Sequence, residues 1–377
     1  MPAPVAYLTI LKHRIYSLDQ IRFQIEILSE SFEGDVWVTG RADSEERIGR
    51  FTTHIVAPGK GEGGVAYFRR LHSLIIRRAE QVAATHDGPK AVISYDPFRD
   101  GVLAILLRRR VGWPIVIEIN GVYGSPHNFL HEEGWFNRTL KPLLLKVFGR
   151  ATIAAADGIR LLYHNQLAGF ARLPPRAVVR HYFDNVPLER FQPGPEEPIL
   201  LHVGYPYYRK GIDILLAAFA QVRDEFPAWR LVLIGHQLID HVPVVPPRVE
   251  ILPGMSNEEV AGWIARCGCF VLASRSEGMG RVLIESAAAG KARIGSRVDG
   301  IYTVLEDEMD GLMFNSEDPD DLARQLRRVM SSPALRTTLG ATARRRALAE
   351  FSSDRYVRHV AEMVRSVIAL RATKARH

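Results

Sequence analysis

Short apolar runs alternate with longer amphipathic segments along the chain. Runs such as VAYLTIL at 5–11 and AVISY at 91–95 are almost uniformly apolar and too short for a typical helix, which is typical of strands buried on both faces. Between such runs, apolar residues recur at helical spacing. The alternation predicts an α/β protein with doubly wound parallel sheets covered by helices.

The pattern predicts the following elements. Predicted strands are 5–11, 35–39, 91–95, 115–119, 151–155 and 177–180 in the first half, and 199–204, 230–235, 248–252, 269–273 and 292–296 in the second. Predicted helices are 19–31, 64–85, 98–110, 135–149, 211–226, 256–266, 280–289, 319–331, 333–350 and 353–370.

The alternation restarts near 184–198, where four prolines, a glycine and several charges indicate a linker. We therefore expect two Rossmann-like domains, 1–190 and 191–352. The segment 353–377 is expected to form a C-terminal helix, packed either on the second domain or back on the first. Because parallel sheets bind ligands at the carboxyl ends of their strands, two such domains are expected to face across a cleft that holds the active site.

Composition narrows the class of protein. The chain has 377 residues, of which 47% are hydrophobic and 24% charged, so it contains enough apolar side chains for packed cores. Cys267 and Cys269 are too few for a disulfide framework, and the sequence contains neither a secretory signal nor an apolar run of the ~18 residues that a membrane span needs. These features predict a cytoplasmic protein.

The formal net charge of +7 lies almost entirely in residues 1–190. No Lys/Arg-rich arm accompanies it, so nucleic acid is not an expected partner. In segment 64–85, arginines flank apolar residues, and Arg108, Arg109 and Arg110 add charge to the same domain. Such a helix is suited to peripheral contact with the anionic inner face of the cell membrane. An ordinary surface helix has the same pattern.

The segment 274–290, SRSEGMGRVLIESAAAG, carries the strongest chemical signal. It follows a predicted strand, forms a turn and continues as a helix. Glycines in the turn permit close backbone approach to a ligand, and the N-terminus of the following helix is suited to a diphosphate. Carboxylates on the turn and helix can accept hydrogen bonds from sugar or ribose hydroxyls. The candidate residues are Glu277, Gly278, Met279, Gly280 and Glu285.

A second candidate segment is LHVGYPYYRKGID at 201–213. Gly204 ends a predicted strand, and Arg209 and Lys210 precede the next predicted helix, where cations can reach a phosphate at the edge of the sheet. Such cations would offset charge developing on a diphosphate leaving group. Taken alone, such a pair near the start of a helix is more often a solvated surface pair.

Together these two segments resemble the family 4 retaining glycosyltransferases of GT-B fold, and the resemblance covers roughly 199–352. The similar features are a glycine-ended strand followed by Lys-Gly and a helix, a second glycine-ended strand LVLIG that ends at Gly235, and the EGxG loop. The closing segment DGIYTVLEDEMDGLMFNSEDPDDLARQL and the terminal FSSDRYVRHV also match.

The resemblance implies a role for each matched residue. It places Glu277 at the donor sugar, the segment Gly278 to Gly280 at the diphosphate and sugar, and Glu285 at the ribose. Lys210, assisted by Arg209, would neutralise the leaving diphosphate, so no metal or further cofactor is expected. The donor would be a UDP- or GDP-linked sugar, transferred with retention to a glycan or lipid-linked acceptor in cell-envelope or exopolysaccharide synthesis.

The first half departs from the family pattern, so its candidates rest on position. Asn120 follows the predicted strand 115–119 and is a candidate catalytic residue. Other polar residues follow strands or lie in the loop SPHNFLHEEG near the expected acceptor site, and each is also typical of a loop or cap. They are Lys12, His13, Arg14, Asp96, His127 and His131.

Two other function classes stay open. A sugar-nucleotide 2-epimerase-like isomerase would use the same scaffold, although no acid/base set for it is evident in the sequence. A non-catalytic glycan-binding protein would need no phosphate-facing groups, so nucleotide binding distinguishes it from the enzyme.

Overall fold

A computed structural model gives the structure of residues 6–12, 18–125, 140–235 and 245–374. Within these ranges the chain divides into two compact units. Unit 1 contains the described residues within Met1–Asn120, Gly134–Tyr182 and Asp354–His377. Unit 2 contains those within Gly121–Glu133 and Phe183–Ser353.

In the described part of unit 1, eight strands form one sheet. They are β1 (Ala6–Leu11), β2 (Phe32–Thr39), β3 (Ser44–Ile48), β4 (Phe51–Val56), β5 (Lys90–Ser94), β6 (Ile115–Glu118), β7 (Gly158–Leu161) and β8 (Val178–His181). Their order is β3-β4-β2-β1-β5-β6-β7-β8, and every pairing is parallel except β3 with β4.

Unit 2 contains a second sheet of six strands among its described residues. They are β9 (Ile199–Val203), β10 (Arg230–Ile234), β11 (Val249–Leu252), β12 (Cys269–Leu272), β13 (Ala292–Ser296) and β14 (Leu312–Phe314). All pairings are parallel, in the order β11-β10-β9-β12-β13-β14. The chain builds outward from β9 to β11 and then returns to the other side of β9, so the topological switch point lies between β9 and β12.

The described helices follow the strands in the order expected of crossover connections. They are α1 (Asp19–Leu28), α2 (Gly64–Thr85), α3 (Arg99–Val111), α4 (Lys141–Ala155), α5 (Ile212–Val222), α6 (Asn257–Arg266), α7 (Arg281–Ala288), α8 (Ile301–Val304), α9 (Pro319–Ser331), α10 (Pro333–Glu350) and α11 (Ser353–Lys374).

The C-terminal helix α11 packs into the core of unit 1. Its apolar residues recur at helical spacing and lie among side chains of β1, β2, β5 and β6. The buried members are Tyr356, Val360, Met363, Val364 and Val367. A segment that follows unit 2 in sequence therefore completes the hydrophobic core of unit 1.

Helix α2 packs closely on the sheet of unit 1. The residues Tyr67, Leu71, Ile75, Ala79 and Val82 form its buried face, within a core cluster that includes residues of β1, β5 and β6. Since this apolar face is already covered by protein, α2 does not offer it to a membrane surface.

The predicted α/β class with doubly wound parallel sheets is confirmed, but particular elements differ. The expected strand at 151–155 is wrong, because these residues continue α4. Thr152 and Ile153 are buried on one side of that helix, and the Thr152 hydroxyl donates to the Gly149 carbonyl one turn earlier at 2.9 Å. The sequence interpretation did not find β3, β4, β7, β14 or α8. Part of the expected helix 135–149 lies outside the described residues.

Over the parts of the chain that the structure describes, no helix is both long enough and apolar enough to cross a membrane.

Candidate active site

The candidate site is built from the loops that follow β9 and β12, at the switch point of unit 2. Gly211 has a φ of +63°, and a Cβ at this position would lie 1.9 Å from the carbonyl oxygen of Ala273. The Arg275 amide donates to the Arg209 carbonyl at 2.8 Å. Only glycine permits this approach, so the two loops lie directly against each other.

Arg275 fastens these loops through its side chain. Its guanidinium contacts both carboxylate oxygens of Asp213, at 2.9 and 2.7 Å, and the Glu317 carboxylate at 3.0 Å. It also lies over the ring of Tyr208, 4.0 Å from the centroid. Such bidentate, charge-assisted hydrogen bonds fix orientation as well as distance. The sequence interpretation missed this residue, because its partner Asp213 is remote along the chain.

An ion pair between Lys210 and Glu277 lies beside this contact. The Lys210 Nζ is 2.5 Å from the Glu277 Oε2, and each side chain is 11% exposed. The Ser274 hydroxyl donates to the same carboxylate oxygen at 3.2 Å. The structure therefore brings together the two residues that the sequence singled out in separate segments.

The charge state of Glu277 follows from these neighbours. Burial by itself raises the pKa of this carboxyl, but the Lys210 ammonium outweighs it, aided by Arg209 and the Ser274 hydroxyl. The net result is a pKa below the ordinary value for glutamate. Glu277 is therefore ionised at neutral pH and can accept hydrogen bonds from a ligand.

Glycines lie next to the pair and at the start of α7. Gly204 has a φ of +144°, and a Cβ there would lie 3.1 Å from the Lys210 Cε. Gly280 has a φ of +66° and directly precedes the first turn of α7. Gly278 and Met279 are buried beside it. No side chain at position 280 therefore lies over the N-terminus of α7.

Other candidates in unit 2 lie at the same edge of the sheet or on α7. Gly235 follows β10, the neighbour of β9, and its amide donates to the Leu252 carbonyl at 3.2 Å. Glu285 pairs with Arg281 at 3.2 Å, and burial raises its pKa above the ordinary value despite that partner. Arg209 is half-buried just before Lys210.

In unit 1, three candidates follow neighbouring strands. Lys12 follows β1 and donates to the Gln24 carbonyl oxygen Oε1 at 2.5 Å, and the Asp96 carboxylate after β5 accepts from the Phe98 amide at 2.6 Å. Asn120, after β6, donates to the Tyr95 carbonyl at 2.7 Å. These contacts hold the loops, and a catalytic role for Asn120 stays a prediction. His13, Arg14, His127 and His131 lie outside the described residues.

Within residues 6–12, 18–125, 140–235 and 245–374, no group of three or more His, Cys, Asp or Glu side chains is placed to hold a metal ion. Cys267 and Cys269 are both buried and unpaired by disulfide.

A doubly wound sheet with a cation and a helix N-terminus at its switch point is the arrangement in which α/β domains bind nucleotides. Residues 187–346 match the family model described as Glycosyl transferases group 1.

Among curated proteins, the chain is 33% identical over 146 residues to an uncharacterised glycosyltransferase of Methanocaldococcus jannaschii, covering 37% of this chain and 40% of that protein. It is 30% identical over 167 residues to a D-inositol 3-phosphate glycosyltransferase of Nocardioides, covering 38% and 36%. The match thus spans less than half the length of these relatives.

Solved structures extend the similarity over the whole fold. Sucrose-phosphate synthase of Thermosynechococcus elongatus superimposes with a TM-score of 0.78 at 19% identity, covering 97% of this chain and 99% of that one. Anabaena HepE in complex with UDP-glucose gives 0.72 at 15% identity, covering 96% and 99%. The expected GT-B fold class is confirmed.

The sequence interpretation also missed His202, a polar residue in the apolar strand β9. It is fully buried, and its Nδ1 lies 3.0 Å from the Val271 carbonyl oxygen. Burial, reinforced by the Lys210 charge, lowers its pKa from 6.5 to about 4. His202 is therefore neutral in the folded protein at neutral pH.

This shift predicts an acid-dependent loss of stability. The unfolded chain binds a proton at His202 below about pH 6.5, whereas the folded chain does so only near pH 4. The contribution is present above pH 6.5 and is lost as the pH falls towards 4, at a cost of about 2–3 kcal/mol. In His202→Asn, whose amide can still donate to Val271, the free energy of unfolding should fall less between pH 7 and 4.5. Guanidinium unfolding measures both proteins, and equal pH dependence would contradict the assignment.

Proposed function

We propose that the protein is a glycosyltransferase that takes a sugar from a nucleotide diphosphate donor, and that unit 2 binds this donor at the β9/β12 switch point. The observation that carries the proposal is the buried Lys210–Glu277 pair, 2.5 Å apart, beside the N-terminus of α7. The family match over 187–346 supports it. So does the shared fold with HepE, a protein solved in complex with UDP-glucose.

The diphosphate binds where positive charge is concentrated. The first turn of α7 presents backbone N–H groups and the positive end of the helix dipole. Lys210 supplies a full positive charge next to Gly204, and Arg209 adds a second cation from the same loop. Gly278, Met279 and Gly280 let the diphosphate and sugar approach the backbone. Gly235, at the neighbouring strand end, lies beside the nucleoside.

The two carboxyl groups of this region serve different hydroxyls. Glu277 is ionised and held by Lys210 and Ser274, which leaves its other oxygen to accept a hydrogen bond from the donor sugar. Glu285, on α7, binds the ribose hydroxyls. Burial raises the pKa of Glu285, so this carboxyl is suited to exchanging hydrogen bonds with neutral hydroxyls rather than to pairing with a phosphate.

Transfer proceeds with retention and without a metal ion. The acceptor hydroxyl oxygen forms a bond to the anomeric carbon as the bond from that carbon to the phosphate oxygen breaks. Attack occurs on the face from which the diphosphate departs, and the hydroxyl proton passes to the departing phosphate oxygen. Lys210 and Arg209 stabilise the charge that develops on the diphosphate. Electrostatic stabilisation of the leaving group is the main contribution of the protein.

The acceptor is a hydroxyl of a glycan or lipid-linked molecule in envelope or exopolysaccharide synthesis, bound by unit 1 with Asn120 at the sheet edge. This choice of acceptor is supported by the names of relatives, which include a polar or lipid molecule that carries hydroxyl groups. These include D-inositol 3-phosphate glycosyltransferases and the phosphatidylinositol N-acetylglucosaminyltransferase gpi3 subunit of Schizosaccharomyces pombe.

The proposal first predicts that the protein binds a nucleoside diphosphate. UDP, GDP, ADP and TDP are added separately to the purified protein and thermal unfolding is followed. A diphosphate at 100 times its dissociation constant should stabilise the fold by about 2.7 kcal/mol, and we expect UDP or GDP to do so. A response to none of the four would contradict the donor site and favour a non-catalytic glycan-binding protein.

Substitutions in the ion pair test the chemistry. Lys210→Met keeps the aliphatic stem but removes the charge, and Glu277→Gln keeps the shape of the carboxylate. Each should lower the rate of nucleoside diphosphate release from the matching sugar nucleotide, with water as acceptor, by a factor on the order of 10² to 10³. The thermal midpoint of each variant separates this loss from unfolding, since an unpaired buried charge also destabilises the fold.

A matched control lies in the same unit. Arg328 forms an exposed ion pair with Glu308 at 2.6 Å, so Arg328→Met removes a similar pair away from the switch point. It should leave the rate of nucleoside diphosphate release unchanged.

Near-native release rates in Lys210→Met would refute the proposed chemistry. A change of the sugar configuration without diphosphate release, followed by NMR, would instead identify the epimerase-like alternative.

A further inference from the structure

Helix α4 carries four large apolar side chains that are exposed to solvent. Leu143 is 57% exposed, Leu144 38%, Val147 56% and Phe148 48%. Their spacing of one, three and four residues places them on one side of the helix. We call these four residues the α4 apolar face. An exposed apolar cluster of this kind commonly marks an interaction surface.

The helix is held firmly by its C-terminal half. Gly149, Thr152 and Ile153 are buried, and a Cβ at Gly149 would lie 2.8 Å from the Phe170 ring. The Arg150 guanidinium donates to the Phe170 carbonyl at 2.6 Å. Because Gly149 and Ile153 are buried on the other side of the helix, the α4 apolar face is presented by a fixed element rather than packed into the core.

The surroundings of this face are strongly basic. From residue 141 to residue 183 the sequence has a single acidic residue, Asp157, against seven basic ones. Lys146 and Arg150 are exposed on α4 itself. Next to the helix, a depression is lined by Arg150, Ala154 and the segment 169–172, which ends at the exposed Arg172.

A second depression adjoins the end of α4. Its lining includes Ala154, Arg108, Arg176 and Arg371. The Asp157 carboxylate there forms ion pairs with Arg108 at 3.4 Å and with Arg371 at 3.2 Å. One carboxylate therefore faces several guanidinium groups, and the basic character of this side of unit 1 is only partly neutralised.

We propose that the α4 apolar face docks on an anionic phospholipid surface. The apolar side chains enter the boundary between headgroups and acyl chains, while Lys146 and Arg172 meet lipid phosphates. The charge favours lipid over a second copy of this chain, since pairing two such faces would bring like charges together. This surface is on α4 and not on α2, whose main apolar face is buried in unit 1. The proposal does not depend on the donor site.

Vesicle sedimentation of the full chain tests this proposal. The vesicles are phosphatidylcholine alone or mixed with phosphatidylglycerol. We expect binding to the mixed vesicles that weakens with added salt. The double variant Val147→Asp, Phe148→Asp should bind at least about tenfold more weakly, because it puts charge where apolar side chains enter the lipid. The control Leu348→Asp changes a side chain of α10 that is 47% exposed, and should bind like the wild type.

A second variant separates charge from apolar contact. Lys146→Glu with Arg172→Glu keeps the α4 apolar face and should lose at least about fivefold in affinity for each changed residue. Circular dichroism and UDP or GDP binding verify that each variant is folded. Equal vesicle binding by the wild type and the Val147/Phe148 variant would overturn the proposal. Absence of vesicle binding by the wild type would also overturn it. So would the finding that the wild type is a dimer that the Val147/Phe148 variant converts to a monomer.

Discussion

The close contact between the loops after β9 and β12 is the constraint on which the candidate site depends. Gly211 lies so near the Ala273 carbonyl that no side chain fits, and the Arg275 amide bonds the Arg209 carbonyl across the same gap. In a doubly wound sheet these loops leave neighbouring strands in opposite directions, which leaves room at the strand ends. The contact between the loops places Lys210 and Glu277 together at that opening.

Burial gives this pair its chemical character. An ammonium and a carboxylate taken out of water are costly unless they meet each other and further hydrogen-bond partners. Here Ser274 adds a donor, while the contacts of Arg275 with Asp213 and Glu317 hold the loops in place. The result is a cation and an ionised carboxylate fixed before any ligand arrives. Such preorganisation lowers the cost of stabilising charge as it develops on a leaving group.

The sequence predicted much of this arrangement because its signals are local. Alternating strands and helices, Lys210 before a helix, and Glu277 in a glycine-containing turn can each be recognised within about a dozen residues. Contacts between distant segments could not be predicted in this way. Asp213 and Arg275 meet only through the fold, and His202 gave no signal beyond one polar residue in an apolar strand. Residues 151–155 have strand-like composition, yet packing within unit 1 makes them helical. The exposure of the α4 apolar face likewise depends on which side of the helix packs.

The most direct test of the central claim is a crystal structure with a bound nucleoside diphosphate. The account predicts that the diphosphate lies at the N-terminus of α7, with a phosphate oxygen within hydrogen-bonding distance of the Lys210 Nζ, at about 2.7–2.9 Å. A diphosphate bound elsewhere in the chain, with the Lys210–Glu277 pair unchanged and remote from it, would contradict the claim that this pair forms the donor site.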